Sequence, residues 1–297
     1  MEFSRRIMQM QASPIRRLIP YAEEAKRKGR KVFHLNIGQP DIVTPPAFFT
    51  ALSDFKSDVL AYAPSEGIPE LLDAIRGYYK KYDVELGREN ILVTDGASEA
   101  IVFTFTALCD PGDEILIPEP FYANYNPFAE SVSAVIVPIT TKAEEGFHLP
   151  SRQVLESKIS PRTKAIVLCH PGNPTGAIYT AEEMSMVADL ARKHDFFIIA
   201  DEVYREFVYD GIPYRSFASL KGVEDRVVIM DSISKRYSAC GARVGCVISR
   251  NTEFIRQVLK LCQGRTSAPT MDQIGAVALS GTPQSYLHDV RTEYQKR

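Results

Sequence analysis

Seven short apolar runs, separated by longer amphipathic stretches, limit what this chain can become. They are Ile91–Thr94, Glu114–Pro118, Ala134–Ile139, Ala165–Cys169, Phe197–Ala200, Val227–Met230 and Gly245–Ser249. They are rich in Ile and Val, and several are apolar throughout. A strand without a polar side is covered on both faces, as strands of parallel sheets are. Between most of the runs lie helical patterns: Ser98–Leu108, Ala123–Ser131, Ser151–Lys158 and Ala181–His194. The clearest helix start is Thr180 followed by Glu183, the spacing of a capping box. The alternation predicts an α/β fold with a mainly parallel sheet of these seven strands flanked by helices. In such sheets ligands sit beyond the carboxyl ends of the strands.

The segment before the first run differs. To about Pro46 it is polar and punctuated by Pro14, Pro20, Gly29, Gly38, Pro40 and Pro45. It reads as an arm with one short helix near residues 20–28. The last run, SYLHDVRTEYQKR, is charged and helical with no Gly or Pro after it, so the expectation is a chain cut rather than finished. With 297 residues, 45% of them hydrophobic, a large core in one domain or two is possible. Basic and acidic side chains number 35 and 37, for a net charge of −2, which does not suggest a nucleic-acid partner. No apolar stretch reaches the ~18 residues of a membrane span, and the first residues lack the apolar stretch of a secretory signal. The five cysteines are odd in number and show no CxxC spacing. Reduced, mostly buried thiols in a cytoplasmic protein are expected, and no metal site.

Chemistry is expected where polar residues follow apolar strands. Gly96-Ala97-Ser98 follows the first run and opens a helix, where backbone N–H groups can hold an anion. Asn173, in HPGNPTG, follows the fourth run, and Asp201, in ADEVY, the fifth. Lys235, in SISKRYSACGARVG, follows the sixth. A desolvated carboxylate such as Asp201 needs a cationic or hydrogen-bonding partner, which a protonated pyridine nitrogen provides. An amine in the same crevice is suited to forming an imine. The fork of Arg243 suits a phosphate. Each piece alone has an ordinary structural reading: an N-cap, a solvated lysine, a turn at a strand end, an Asn-Pro turn. Their occurrence together, in order after successive strands, makes coincidence improbable.

With these motifs the chain resembles the class I/II aminotransferases, fold-type-I enzymes that use pyridoxal 5′-phosphate (PLP). The resemblance runs over essentially the whole chain. It is carried by ASPIRRL…HLNIGQPDIVTPP, AYAPSEGIPELLDAI, VTDGASEAI, EPFYANY, HPGNPTG, ADEVYREFVYDG and SISKRYSACGARVG. It implies that Lys235 holds PLP as a Schiff base and then moves the proton of the reaction. It implies that Asp201 pairs with the pyridine nitrogen, and that Asn173 and Tyr204 bond the phenolic oxygen. By the same resemblance Tyr122 stacks on the ring, while Gly96, Ala97, Ser98, Ser232 and Arg243 hold the phosphate. Tyr62 reaches the phosphate in a neighbouring subunit, and Gly38 lies beside the substrate carboxylate together with Asn173. Arg265 is either a residue that points to the partner's site or a surface residue.

The implied protein is a homodimer with shared sites. It takes an amino group from an amino acid, aspartate or alanine favoured, to a 2-oxo acid such as 2-oxoglutarate. The implied division is residues 1–46 for the arm and start of the small domain, 47–280 for the PLP-binding domain, and 281–297 for the start of a C-terminal region. Two departures stand out. Ile233 replaces a commoner Phe, a mild change. The C-terminal domain, which in the family supplies an Arg clamp for the substrate carboxylate, has no recognisable segment here, so low activity is expected. The alternatives are another PLP reaction such as a C–S β-lyase, a PLP-binding regulatory module, or an interaction protein with a decayed site. For the regulatory module the chain offers no DNA-binding unit ahead of the arm. The complete set Asn173, Asp201, Lys235 and Arg243 argues against the decayed site.

Overall fold

The structure, a computed structural model, describes all 297 residues. Its strands are β1 (Ile91–Asp95), β2 (Glu114–Glu119), β3 (Val135–Thr140), β4 (Thr163–Cys169), β5 (Phe197–Asp201), β6 (Val227–Ser232) and β7 (Val244–Ser249). They form one sheet in the order β1-β7-β6-β5-β4-β2-β3. Strand β7 runs antiparallel to β1 and β6, and every other pairing is parallel. All seven expected strands are present, with ends moved by a residue or two. Five of them, β1, β2, β3, β5 and β6, extend at their carboxyl ends, and β1, β5 and β6 thereby take in Asp95, Asp201 and Ser232. A polar side chain breaks the apolar pattern but not the backbone ladder, which continues through Cys169↔Asp201 and Ser232↔Gly245.

The helices are α1 (Arg5–Gln9), α2 (Ile19–Arg27), α3 (Pro46–Asp54), α4 (Pro69–Lys80), α5 (Gly96–Leu108) and α6 (Tyr125–Ser131), then α7 (Arg152–Glu156), α8 (Ala181–His194), α9 (Thr252–Arg265), α10 (Thr270–Leu279) and α11 (Gln284–Lys296). The arm thus carries α1 as well as the one helix expected in it. Ser4 caps α1 from outside by accepting from the Ile7 N–H, a signal too short to stand out in a polar stretch. Helix α8 has the bounds its sequence predicts. Thr180 Oγ1 accepts from Glu183 N at 3.2 Å, and Glu183 Oε2 accepts from Thr180 N at 2.7 Å. Losing such a cap costs about 1 kcal/mol.

Side chains alternate across the sheet and build two apolar layers. One holds Leu92, Ile199, Val228 and Met230 against α5, α6 and α9; the other holds Val93, Ile198, Ile229 and Ile248 against α4, α8 and α10. Each fully buried side chain of this kind contributes about 1.5–3 kcal/mol relative to exposure. No helix is long and apolar enough to cross a membrane. All five cysteines are free, but only Cys246 and Cys262 are buried; Cys109, Cys169 and Cys240 keep some exposure. The expectation of mostly buried thiols is corrected accordingly, since Cys109, Cys169 and Cys240 lie at or beyond the ends of their elements.

Residues 41–44 are tied down at both sides. Arg297 Nη1 contacts both Asp41 oxygens at 2.8 Å, and Tyr286 donates to the Val43 carbonyl at 3.0 Å. Thr44 donates to the Ser238 carbonyl, 2.7 Å away, just beyond Lys235. The exposed ion pair adds little stability. Its effect is to route the arm past the carboxyl ends of the strands.

Candidate active site

Strands β1, β2, β4, β5 and β6 all finish at one edge, where the residues singled out above collect. Arg243 looks out of place in the sequence because it precedes a strand. The topology explains this: β7 runs the other way, so its first residue lies where its neighbours end. Arg243 adopts the left-handed region, with φ of 53°. A non-glycine residue there stores strain of roughly 1–3 kcal/mol, which the surrounding structure holds in place.

The anion end of the site is built around the start of α5. Gly96 has φ of 70°, and a Cβ on it would strike the Arg243 guanidinium. A Cβ on Gly245 would come within 2.6 Å of the Ala97 nitrogen. Two glycines therefore let strand, helix start and guanidinium meet closely. Arg243 Nη2 donates to the Asp95 carbonyl at 3.3 Å and Nη1 to the Cys240 carbonyl at 3.2 Å. The N–H groups of the first helical turn lack partners within the helix, and the macrodipole is positive there. With Ala97, Ser98 and Arg243 together, the pocket suits a phosphate. Ser232 is buried at the end of the adjoining β6 and accepts from Ser234 N at 3.2 Å.

At the other end lies Asp201, 5% exposed. Its oxygens accept from Tyr125 Oη at 2.8 Å and from Val203 N at 3.3 Å, both uncharged donors. Burial pushes its pKa up to about 6, against the opposing pull of these donors. Burial and the carboxylate also raise the pKa of the Tyr125 phenol, so that it remains a donor. Tyr125 went unnoticed in the sequence. Its signal was present, since it lies one helical turn beyond Tyr122 in EPFYANY, but spacing alone does not say which tyrosine turns inward. The two rings meet edge to face at 5.5 Å, and Tyr122 Oη accepts from Asn124 Nδ2 at 2.7 Å. A narrow, partly enclosed pocket of about 20 Å³ beside Tyr125 is also lined by Phe121, Cys169, Gly172 and Asn173.

Lys235 lies between these ends. Its Nζ donates to the Gly38 carbonyl at 2.8 Å and stands 5.8 Å from the centre of the Tyr204 ring. Asn173 Nδ2 donates to Tyr204 Oη at 3.4 Å. Thus Gly38, Asn173, Tyr204 and Lys235 are linked directly, and the arm enters the site through Gly38. Tyr62 is not part of this group: it is 82% exposed. Arg265 is turned inward, with Nη1 3.6 Å from Glu99 and Nη2 donating to the Val93 carbonyl at 3.2 Å. The surface-residue reading does not describe it, because Glu99, by the helix start, draws it inward.

The fold is an α/β one in which Arg243, Lys235 and the buried Asp201 all lie at or just beyond the carboxyl ends of the parallel strands. Comparison with known proteins agrees. Residues 30–297 match the family described as aminotransferase class I and II. A probable aspartate/prephenate aminotransferase of Aquifex aeolicus is 34% identical over 98% of this chain and 75% of its own length. An asparagine–oxo-acid transaminase of Streptococcus mutans is 33% identical over 100% of this chain and 76% of its own. Aspartate aminotransferase from Thermus thermophilus with maleate superposes with a TM-score of 0.92 at 29% identity, over 100% of this chain and 78% of that one. Alanine aminotransferase from Pyrococcus furiosus gives 0.92 at 32%, over 99% and 77%. This chain belongs to the class I and II aminotransferases, a family of transferases of fold type I. The chain spans about three quarters of the length of these relatives.

Proposed function

We propose that the chain is a PLP-dependent aminotransferase that carries an amino group from an amino acid to a 2-oxo acid. One observation carries the reading: a buried carboxylate with no cation on it, Asp201, shares a crevice with the amine of Lys235 and the anion seat at Arg243. The residues fit PLP by the chemistry of the donor set. The phosphate is assigned to Gly96, Ala97, Ser98, Ser232 and Arg243, and the cationic ring nitrogen to Asp201. Tyr122 covers the ring, and Asn173 and Tyr204 donate to its phenolic oxygen. When bound through Lys235, PLP supplies an electron sink for charge that develops at the substrate Cα.

The rest is done by this chain. Asp201 holds the proton on the ring nitrogen, because a desolvated carboxylate favours a cation beside it. Lys235 Nζ would act as the base for the Cα proton and, once protonated, as the general acid. Tyr204, 5.8 Å from Nζ by its ring centre, and the Gly38 carbonyl limit where the amine can swing. Gly38 and Asn173 line the place of the substrate carboxylate. Aspartate and alanine are the favoured donors and 2-oxoglutarate the acceptor, supported by the names of the relatives.

A homodimer fits the arm. Its apolar side chains Phe3, Met8, Phe33 and Leu35 are 77%, 69%, 70% and 94% exposed, and Tyr62 is free to reach a second copy. The division into an arm of residues 1–46, a PLP-binding body of 47–280 and a further segment of 281–297 follows the same reading. A cytoplasmic location suits the five free thiols.

The test is a panel of amino donors with 2-oxoglutarate and the PLP-loaded protein, read by glutamate formation. Glutamate with a matching keto acid supports the reading; ammonia and pyruvate from a sulfur amino acid, with no glutamate, point to a lyase instead. Arg243→Ala should weaken PLP binding by roughly 10–100-fold, the size of a charge-assisted contact. Equilibrium dialysis measures this, and an unchanged Kd contradicts the phosphate role.

A further inference from the structure

Behind the site lies a cluster of buried charges that the chemistry above does not use. Glu202, Arg205, Asp231 and Arg236 are 0%, 3%, 0% and 5% exposed. Each is the immediate chain neighbour of a site residue: Glu202 of Asp201, Arg205 of Tyr204, Asp231 of Ser232, and Arg236 of Lys235. Alternation along β6 places Asp231 on the side of α4 and Ser232 on the side of α5. The contacts agree. Tyr79 of α4 donates to Asp231 Oδ2 at 3.2 Å. Arg236 Nη1 bonds both Asp231 oxygens, at 2.8 and 2.9 Å. Arg205 Nη2 bonds Glu202 at 2.8 Å and lies 3.8 Å from Asp231. Arg205 Nη1 and Arg236 Nε have no oxygen partner. Their guanidinium groups lie 4.2 Å from the ring centres of Tyr79 and Tyr78, whose faces attract a cation.

Four buried ions stabilise a core poorly. Desolvation offsets the Coulomb gain, and well-packed apolar residues of similar volume often do as well or better. What the ions add is direction, since a guanidinium held on both oxygens of a carboxylate has little freedom. Asp231 and Arg236 bracket the turn that carries Lys235. Within it, Ser232 N donates to Asp231 Oδ1 at 2.8 Å. We propose that the Asp231–Arg236 pair, joined through Arg205 to Glu202, is a positioning unit that fixes Lys235 and Asp201 relative to each other. Its work is to deliver Nζ to one place. The inference rests on the roles given to Lys235 and Asp201 under Proposed function.

The test compares wild type with Asp231→Leu/Arg236→Met, which replaces the pair by apolar side chains, and with Arg236→Lys, which keeps the charge. Each protein is stripped of cofactor and melted. PLP is then added, and its capture is followed by stopped-flow absorbance, borohydride reduction and peptide mapping. In capture, Nζ adds to the aldehyde carbon, a C=N bond forms and one water leaves. The double variant should melt within about 5 °C of wild type. Its capture rate at saturating PLP should fall about tenfold or more, because a misplacement near 1 Å has effects of that order or larger. Arg236→Lys should be slowed by only about threefold. Capture by the double variant at the wild-type rate overturns the proposal. So does a loss of rate that tracks the melting temperature in both variants, since the pair would then only stabilise. Should the double variant not fold, Arg236→Lys decides: unchanged melting with slower capture supports the unit, and an unchanged rate overturns it. Wild-type protein that is not labelled at Lys235 removes the cofactor reading and this inference with it, a result seen before any variant is made.

Discussion

Lys235→Ala is expected to abolish amino-group transfer while leaving the fold intact. The side chain is half-buried and has one hydrogen bond, to the Gly38 carbonyl at 2.8 Å. Losing it should change stability by no more than about 1 kcal/mol. Activity is another matter. The same nitrogen is assigned both the covalent hold on PLP and the movement of the Cα proton. Loss of a positioned acid–base group alone is worth roughly 10²–10⁴-fold. Loss of the covalent route adds to that. Turnover should drop below about a thousandth of wild type, with an unchanged far-ultraviolet circular dichroism spectrum. A variant that keeps more than a few per cent of wild-type rate would remove Lys235 from the mechanism.

Asp201→Asn should act in opposite directions on the empty and the loaded protein. The folded-state pKa of Asp201 is about 6, above the ordinary 3.8. Between these values the folded chain keeps a proton that the unfolded chain has released, so stability falls as pH rises through the window. Above about pH 6 the full penalty applies, on the order of 3 kcal/mol at 1.36 kcal/mol per pH unit. Asparagine carries no charge and avoids it. The cofactor-free variant should therefore melt higher than wild type at pH 8 and show no such gain at pH 4. With PLP bound, the carboxylate meets a cation and the sign reverses. The variant should still take up PLP at Lys235, with its visible absorbance, while kcat falls at least about a hundredfold. Equal melting curves at pH 8, or a kcat near wild type, would each contradict the role given to Asp201.

Much of this protein is legible in the order of its residues. Ile- and Val-rich runs mark strands whose both faces are covered, and all seven appear. The capping box of Thr180 and Glu183 sets the start of α8 because its bonds are local, spanning three residues. Asn173, Asp201 and Lys235 are legible for a related reason: each ends or follows a parallel strand, so chain order places them at one edge. Less legible are the groups that depend on partners far away. Tyr125 meets Asp201 across 76 residues and Tyr79 meets Asp231 across 152. No periodicity encodes such contacts. The first helix of the arm, α1, escapes notice because no apolar face marks it; none of its residues is buried.

The sequence by itself determined the alternation of strand and helix, the family, and the residue types available to the chemistry. Those follow from side-chain periodicity and local hydrogen bonding, which act over a few residues. Only the tertiary structure decided how the parts face one another. It turned β7 around so that Arg243 arrives at the ligand edge. It threaded the arm so that Gly38 touches Lys235, and it sealed a second layer of charges behind the site. These choices depend on which faces of the sheet are buried and against what, a property of the packed chain and not of any segment within it.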